Sequence, residues 1–168
     1  EEWTPPFVDR YPARMPDGRC LWLPLRRLPR EPTRAVASMI STQIAFSVEH
    51  ALVDWLAERV RSLDAEVVVG NPTLGLLFAR PLAERLGHAN WVGLGNSRKF
   101  WYDEALGEPV ASVTSPGVGK RVYLDPRVVE RVRGRRILVV DDVISSGNSI
   151  VAVLRLLATR AMKGISQV

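Results

Sequence analysis

The spacing of apolar residues divides the chain into a proline-broken beginning and an alternating strand–helix remainder. Residues 1–32 carry seven of the twelve prolines. That density excludes a long helix and predicts an arm of short extended pieces. Within it Cys20–Leu25, CLWLPL, reads as an edge strand, because Pro24 lacks the N–H an inner strand needs. From Ala35 to Val60 the residues Val36, Met39, Ile40, Ile44, Val48, Leu52, Trp55, Leu56 and Val60 recur at helical spacing. Thr33, just after Pro32, is the expected N-cap.

Beyond this helix the pattern changes period. Glu66–Gly70, EVVVG, reads as a short buried strand, Asn71–Gly75 as a loop, and the next stretch as a helix to Leu86, closed by Gly87. Pro81 either kinks that helix or marks its start. Asn90–Leu94 is the next strand. Val110–Thr114 and Lys120–Leu124, joined by Ser115–Gly119, predict a two-stranded ribbon with a glycine-rich tip, a natural lid. Asp125-Pro126 opens a short helix to about Arg133. A strand over Arg136–Asp141 and a helix over Ser149–Arg160 complete the series. Strands alternating with helices predict an α/β domain with a parallel sheet flanked by helices. The expected division is an N-terminal arm or hood over residues 1–32 and an α/β core over 33–168, a single domain overall. Ala161–Val168 holds no glycine-turned strand to continue the sheet, a pattern that a shortened C-terminus would give.

Composition narrows the partners. The 168 residues suffice for one domain with a sizeable core, and 46% hydrophobic with 24% charged residues is ordinary for a soluble protein. No apolar run approaches a membrane span, and no secretory signal is visible. The single Cys20 cannot form an internal disulfide, which suits the cytoplasm. His50 and His88 lie far apart without metal-ligand spacing. A net charge of +5 suits a polyanionic ligand or nucleic acid. The basic residues are dispersed, however, and no nucleic-acid-binding motif is present, so nucleic acid is the weaker reading.

The chemistry concentrates in Ile137–Ser149, ILVVDDVISSGNS. Asp141 and Asp142 stand where a buried strand ends, the edge at which open α/β sheets bind ligands. Ser145, Ser146, Gly147, Asn148 and Ser149 follow with hydroxyls and backbone N–H groups at a helix N-terminus, a phosphate cradle. A ligand with vicinal hydroxyls at one end and a phosphate at the other, a ribose 5-phosphate, fits this order. A strand ending in Asp-Asp also occurs in P-loop NTPases, but no GxxxxGK[ST] accompanies it, and Gly117-Val118-Gly119-Lys120-Arg121 lacks the needed glycine and hydroxyl. Gly93-Leu94-Gly95 begins a dinucleotide fingerprint that Arg98 breaks. What remains there, Arg98, Lys99, Phe100 and Tyr102, is a loop with cations for a pyrophosphate or acceptor and aromatics to stack on a planar ring.

The segment Ile137–Ser149 resembles the phosphoribosyl-pyrophosphate (PRPP) signature of the type I phosphoribosyltransferases. The likeness extends from about Glu66 to Arg160. Val67–Leu86 is similar to that family's pyrophosphate loop and following helix. Phe78–Gly87, with its internal proline, is similar to adenine phosphoribosyltransferases in particular. The resemblance implies the type I phosphoribosyltransferase fold, with a flexible ribbon and a small hood. It implies transfer of ribose 5-phosphate from PRPP to a nucleobase-like acceptor, purine rather than pyrimidine, releasing pyrophosphate in nucleotide salvage.

By that resemblance Asp141 and Asp142 hold the ribose hydroxyls, and Ser145, Ser146, Gly147, Asn148 and Ser149 hold the 5-phosphate. Asn71, Pro72, Thr73, Leu74, Gly75, Arg98 and Lys99 face the pyrophosphate. Phe100 and Tyr102 face the acceptor, and Lys120, Arg121 and Asp142 serve catalysis. Mg2+ is the implied cofactor, held through PRPP and water rather than directly by protein. A homodimer is also implied. Two departures stand out. Asn-Pro-Thr-Leu replaces a loop that carries an arginine in the adenine enzymes, and Gly117 replaces a glutamate before the Gly-Lys of the ribbon. The alternative they motivate is a PRPP-sensing regulatory protein of the same fold without turnover.

Overall fold

The structure is a computed structural model and describes residues 4–15, 17–110 and 119–161. The chain divides into two compact units, Glu1–Ala45 and Phe46–Val168. The start of the core expected at residue 33 therefore falls inside the first unit.

The first unit is an antiparallel sheet of β1 (Arg10–Arg14), β2 (Cys20–Leu28) and β3 (Glu31–Ala37), in the order β1-β2-β3. Two sequence expectations are corrected here. Residues 31–37 are a strand, so Thr33 caps no helix; the helix begins at Phe46 instead. Pro29 and Arg30 turn the chain tightly between Leu28 and Glu31, and Leu25–Arg27 then pair with Ala37–Ala35. That long-range ladder overrides the helical spacing of Val36, Met39 and Ile40. The second correction concerns Pro24, which lies in the central strand rather than an edge. It is tolerated because it sits at the end of both ladders. It pairs with Arg10 at the end of β1, and its carbonyl accepts from Ser38 N–H, one residue beyond β3.

The second unit is the expected α/β core. A parallel sheet of β4 (Val67–Gly70), β5 (Val92–Gly93) and β8 (Ile137–Val140) runs in the order β5-β4-β8. Apart from Gly70, β4 and β8 are runs of β-branched and leucine side chains. β4 is buried throughout, whereas the expected burial of β8 holds only for Val140, with Ile137, Leu138 and Val139 half-buried. Val67, Val68 and Val69 are at most 3% exposed.

One face carries α2 (Gly75–Leu86), against which α1 (Phe46–Val60) packs. Gly70 turns its empty side toward α2: a Cβ there would lie 2.8 Å from the Ala79 Cβ. The helix thus packs directly on the strand, with Phe78, Ala79, Leu82 and Ala83 buried. Pro81 lies inside α2, which ends at Gly87 in a left-handed turn (φ 85°).

The opposite face holds the main core. Val67, Val69 and Val92 meet Ala152, Val153 and Leu156 of α4 (Asn148–Leu156), with Val129 and Val132 of α3 (Val129–Val132) beside them. Asp125 caps the turn before α3 by accepting from Arg127 N–H at 2.8 Å.

The ribbon starts earlier than the sequence indicates. Gly107–Pro109 (β6) pairs with Arg121–Tyr123 (β7), and Val110 N–H donates to the Lys120 carbonyl. Residues 111–118, which include most of the expected first arm and tip, lie outside the described residues. Gly95 and Tyr123 exchange backbone hydrogen bonds at 2.9 Å, which anchors the ribbon at the end of β5.

Two leucines of α4 test this placement. Leu156 is fully buried, whereas Leu154 is 52% exposed. Leu156→Ala is expected to cost about 2–5 kcal/mol, and Leu154→Ala about 0.5 kcal/mol or less. Denaturant midpoints check this; equal losses at the two positions would contradict the orientation of α4.

Candidate functional site

Three loops leave the same edge of the parallel sheet: 71–75 after β4, 94–99 after β5 and 141–149 after β8. The parallel register sets Gly70 beside Val140, and the ladder continues one step further, with Asn71 N–H donating to the Val140 carbonyl at 2.8 Å. Asn71 and Asp141 therefore emerge side by side. The Asn71 carboxamide donates from Nδ2 to Asp141 Oδ2 at 2.6 Å, and Asp142 N–H donates to the other oxygen, Oδ1, at 3.0 Å. Asn71 is only 2% exposed, and its own Oδ1 is buried without a hydrogen-bond partner among the described residues.

The helix α2 presses on the same spot. A Cβ on Gly75 would lie 2.7 Å from the Val140 carbonyl oxygen and 2.9 Å from the Asp141 Cα. Glycine at 75 lets the helix start against the carboxylate strand. Burial pushes the Asp141 carboxyl above its ordinary range, and the neighbouring Asp142 charge adds to this. The bonds from Asn71 and from the Asp142 N–H oppose it.

After the carboxylates the chain forms a cup. Asp141, Ser145, Ser146, Gly147, Asn148 and Ser149 line a pocket of about 200 Å³, together with Val143, Ile144 and Ile150. Gly147 takes a left-handed conformation (φ 81°) just before α4, which turns the loop into the helix. The first residues of α4, Asn148, Ser149 and Ile150, thus belong to the pocket wall. Val143 and Ile144 are 68% and 65% exposed.

The remaining candidates separate into two groups. Asn96, which sequence reasoning left without a role, donates to Thr73 Oγ1 at 3.0 Å and ties the loop after β5 to the loop after β4. An amide placed just past a Gly-Leu-Gly strand end was the available signal. The peptide between Pro72 and Thr73 is cis. Arg98 and Arg121 form the other group. Both face Glu104, at 2.9 Å and 3.7 Å, and Arg121 also donates to the Gly107 carbonyl. Glu104 carried no sequence signal at all. Among the described residues no hydrogen bond or ion pair joins this group to Asp141 or Asp142.

Lys99 and Lys120 are exposed and, among the described residues, outside any ion pair. Phe100 is 96% exposed. Tyr102 is differently occupied: it stacks on Tyr123 with ring centroids 5.6 Å apart and packs against Gly95.

Comparison with known proteins gives the family of the chain. The profile of the phosphoribosyl transferase domain matches residues 42–168. The chain belongs to the phosphoribosyltransferase family. Among curated phosphoribosyltransferases, it is similar to the adenine phosphoribosyltransferase of Roseiflexus castenholzii. The two are 31% identical over 112 residues, 64% of this chain and 59% of that protein. It is also similar to the adenine phosphoribosyltransferase of Frankia casuarinae, 29% identical over 133 residues, 73% of this chain and 60% of that protein. The chain thus spans about three fifths of the length of these curated relatives. The crystal structure of adenine phosphoribosyltransferase from Thermoanaerobacter pseudethanolicus shares the phosphoribosyltransferase fold. Its TM-score is 0.68 at 17% identity, over 83% of this chain and 77% of that one.

Gly75 gives a test of the geometry. Gly75→Ala forces either α2 or the end of β8 to move, so it is expected to lower stability by about 1–3 kcal/mol. Denaturant unfolding reads this, and an unchanged midpoint would contradict the contact between Gly75 and Asp141.

Proposed function

We propose that this chain is a PRPP-dependent phosphoribosyltransferase acting on a nucleobase-like acceptor, a purine in preference to a pyrimidine. The observation that carries the reading is the order of groups along one loop. Two adjacent carboxylates, Asp141 and Asp142, run directly into the cup of Ser145–Ser149 at the start of α4. In this reading the ribose hydroxyls donate to the two carboxylates. The 5-phosphate accepts from the N–H groups and hydroxyls of Ser145, Ser146, Gly147, Asn148 and Ser149.

Ribose seated this way holds its C1 over the sheet edge, and the pyrophosphate extends toward the loops 71–75 and 94–99. The C1–oxygen bond breaks through an oxocarbenium-like state, and an acceptor nitrogen attacks C1 from the other face. Catalysis rests on positioning and on stabilising the departing charge. Thr73–Gly75, Arg98, Lys99, Lys120 and Arg121 are the groups proposed to face the pyrophosphate. Because Glu104 engages both Arg98 and Arg121, those guanidiniums exchange that carboxylate for phosphate oxygens in this account. The exposed ring of Phe100 is the proposed acceptor-stacking residue. Tyr102 supports it from its stack on Tyr123.

Mg2+ belongs to the reading. Among the described residues no group of three or more His, Cys, Asp or Glu converges. A pair of carboxylates that serve sugar hydroxyls suits an ion bound through substrate oxygens and water. When bound, Mg2+ neutralises pyrophosphate charge. The reading further includes a homodimer, carried over from the family resemblance, and a cytoplasmic place, supported by the lone free Cys20.

Pyrophosphate release from PRPP and Mg2+ over a panel of purine and pyrimidine bases is the direct test. Release with a purine is expected. PRPP binding without release for any base would favour a sensing role instead. Asp142→Asn is expected to weaken PRPP about tenfold or more, the scale of one hydrogen bond to a charged group. Unchanged affinity in calorimetric titration would remove Asp142 from the ribose site.

A further inference from the structure

Asn71 stood among the candidates for the pyrophosphate, on the strength of its place in the loop after β4. The structure gives both of its nitrogens partners at the end of β8. Its backbone N–H is taken by the Val140 carbonyl, and its carboxamide reaches across to Asp141. We infer that Asn71 is a positioning residue for the ribose site: it holds Asp141 in the orientation in which that carboxylate receives a sugar hydroxyl. This role rests on the ribose 5-phosphate reading given above.

The geometry leaves Asp141 little freedom. Asn71 Nδ2 fixes Oδ2 and the Asp142 N–H fixes Oδ1, so each oxygen has one protein donor and keeps acceptor capacity for a ligand. Gly75 closes the third side, against the Asp141 Cα. Asn71 is itself rigid, because the β4–β8 ladder holds its backbone and burial holds its side chain. Its Oδ1 is buried without a partner among the described residues. This oxygen therefore calls for a donor such as a water or a ligand hydroxyl.

A carboxamide is chemically suited to this place. It donates to the carboxylate without adding charge, whereas a lysine or arginine would compete with ligand hydroxyls by pairing with the carboxylate outright. An apolar residue would leave Asp141 half-buried with one donor fewer. The ionisable neighbour acting on Asp141 is Asp142, whose charge disfavours ionisation. The Asn71 bond favours it. Removing that bond should raise the Asp141 carboxyl further, so binding should fail at higher pH as the solution is acidified.

Two variants separate this role from a pyrophosphate contact. Asn71→Ala deletes the donor. Asn71→Asp keeps the shape but sets a second carboxylate against Asp141, a pair that lacks the donor when both are ionised and takes up a shared proton as the solution is acidified. Affinities for ribose 5-phosphate, PRPP and pyrophosphate alone are measured by calorimetry across pH 5–8, with circular dichroism and melting as folding controls. Both variants are expected to bind ribose 5-phosphate and PRPP about tenfold or more weakly at neutral pH while keeping pyrophosphate affinity.

For Asn71→Asp the ratio to wild type should recover on acidification, because the new carboxyl, once protonated, donates to Asp141 as the amide did. That recovery is a signature a merely structural residue does not produce, and it stands even if Asn71→Ala fails to fold. Weakened pyrophosphate with unchanged ribose 5-phosphate would overturn the role, as would a ratio flat in pH. Wild-type protein that binds neither ribose 5-phosphate nor PRPP would overturn the ribose-phosphate reading and this role together.

Discussion

The site depends on the parallel pairing of two four-residue strands. The ladder of β4 with β8 brings residues seventy positions apart into register, and its last rung is the bond from Asn71 N–H to the Val140 carbonyl. Everything chemical begins one residue beyond that rung. The buried carboxamide of Asn71, the carboxylate of Asp141 and the glycine that opens α2 converge because the two strands end together. Burial of Val67, Val68 and Val69 under helices on both faces holds the ladder rigid, and a rigid ladder delivers side chains to the edge at fixed spacing.

The same construction explains why polar groups accumulate at that edge. Strands covered on both faces leave no place for charge except at their ends. There the Asp141 carboxylate meets two donors, the Asn71 carboxamide and the Asp142 N–H. The glycines sit where backbone must come close. Gly70 admits α2 to the sheet, and Gly75 admits the helix start to Asp141. Gly147 turns the loop into α4. The Arg98–Glu104–Arg121 group belongs to a different part of the edge, anchored through Gly95 and Tyr123 rather than through β8.

Local runs were the legible part. EVVVG announces a buried strand and ILVVDD a strand, both ending in polar loops, although Ile137, Leu138 and Val139 are only half-buried, and the Ser-Ser-Gly-Asn-Ser cup reads directly from residue type. Long-range pairings were not legible. Val36, Met39 and Ile40 fit a helical period, but a hairpin closed at Pro29-Arg30 claims residues 31–37 for a strand. Pro24 looked like an edge residue because a proline's cost depends on where its ladder ends, which only the partner strands reveal. The bond from Asn71 to Asp141 spans seventy residues and has no local signature. Arg98 and Lys99 are adjacent in sequence, yet among the described residues a carboxylate engages Arg98 and not Lys99.

The central claim is that the end of β8 and the start of α4 form a ribose-phosphate site. Amide hydrogen exchange with and without ribose 5-phosphate tests it most directly, because it reads the loop itself and requires no acceptor and no turnover. The account predicts slowed exchange over Asp142–Ser149 and at Asn71, with the far end of α4 unchanged. Saturating ribose 5-phosphate that leaves Asp142–Ser149 exchanging as before would contradict it.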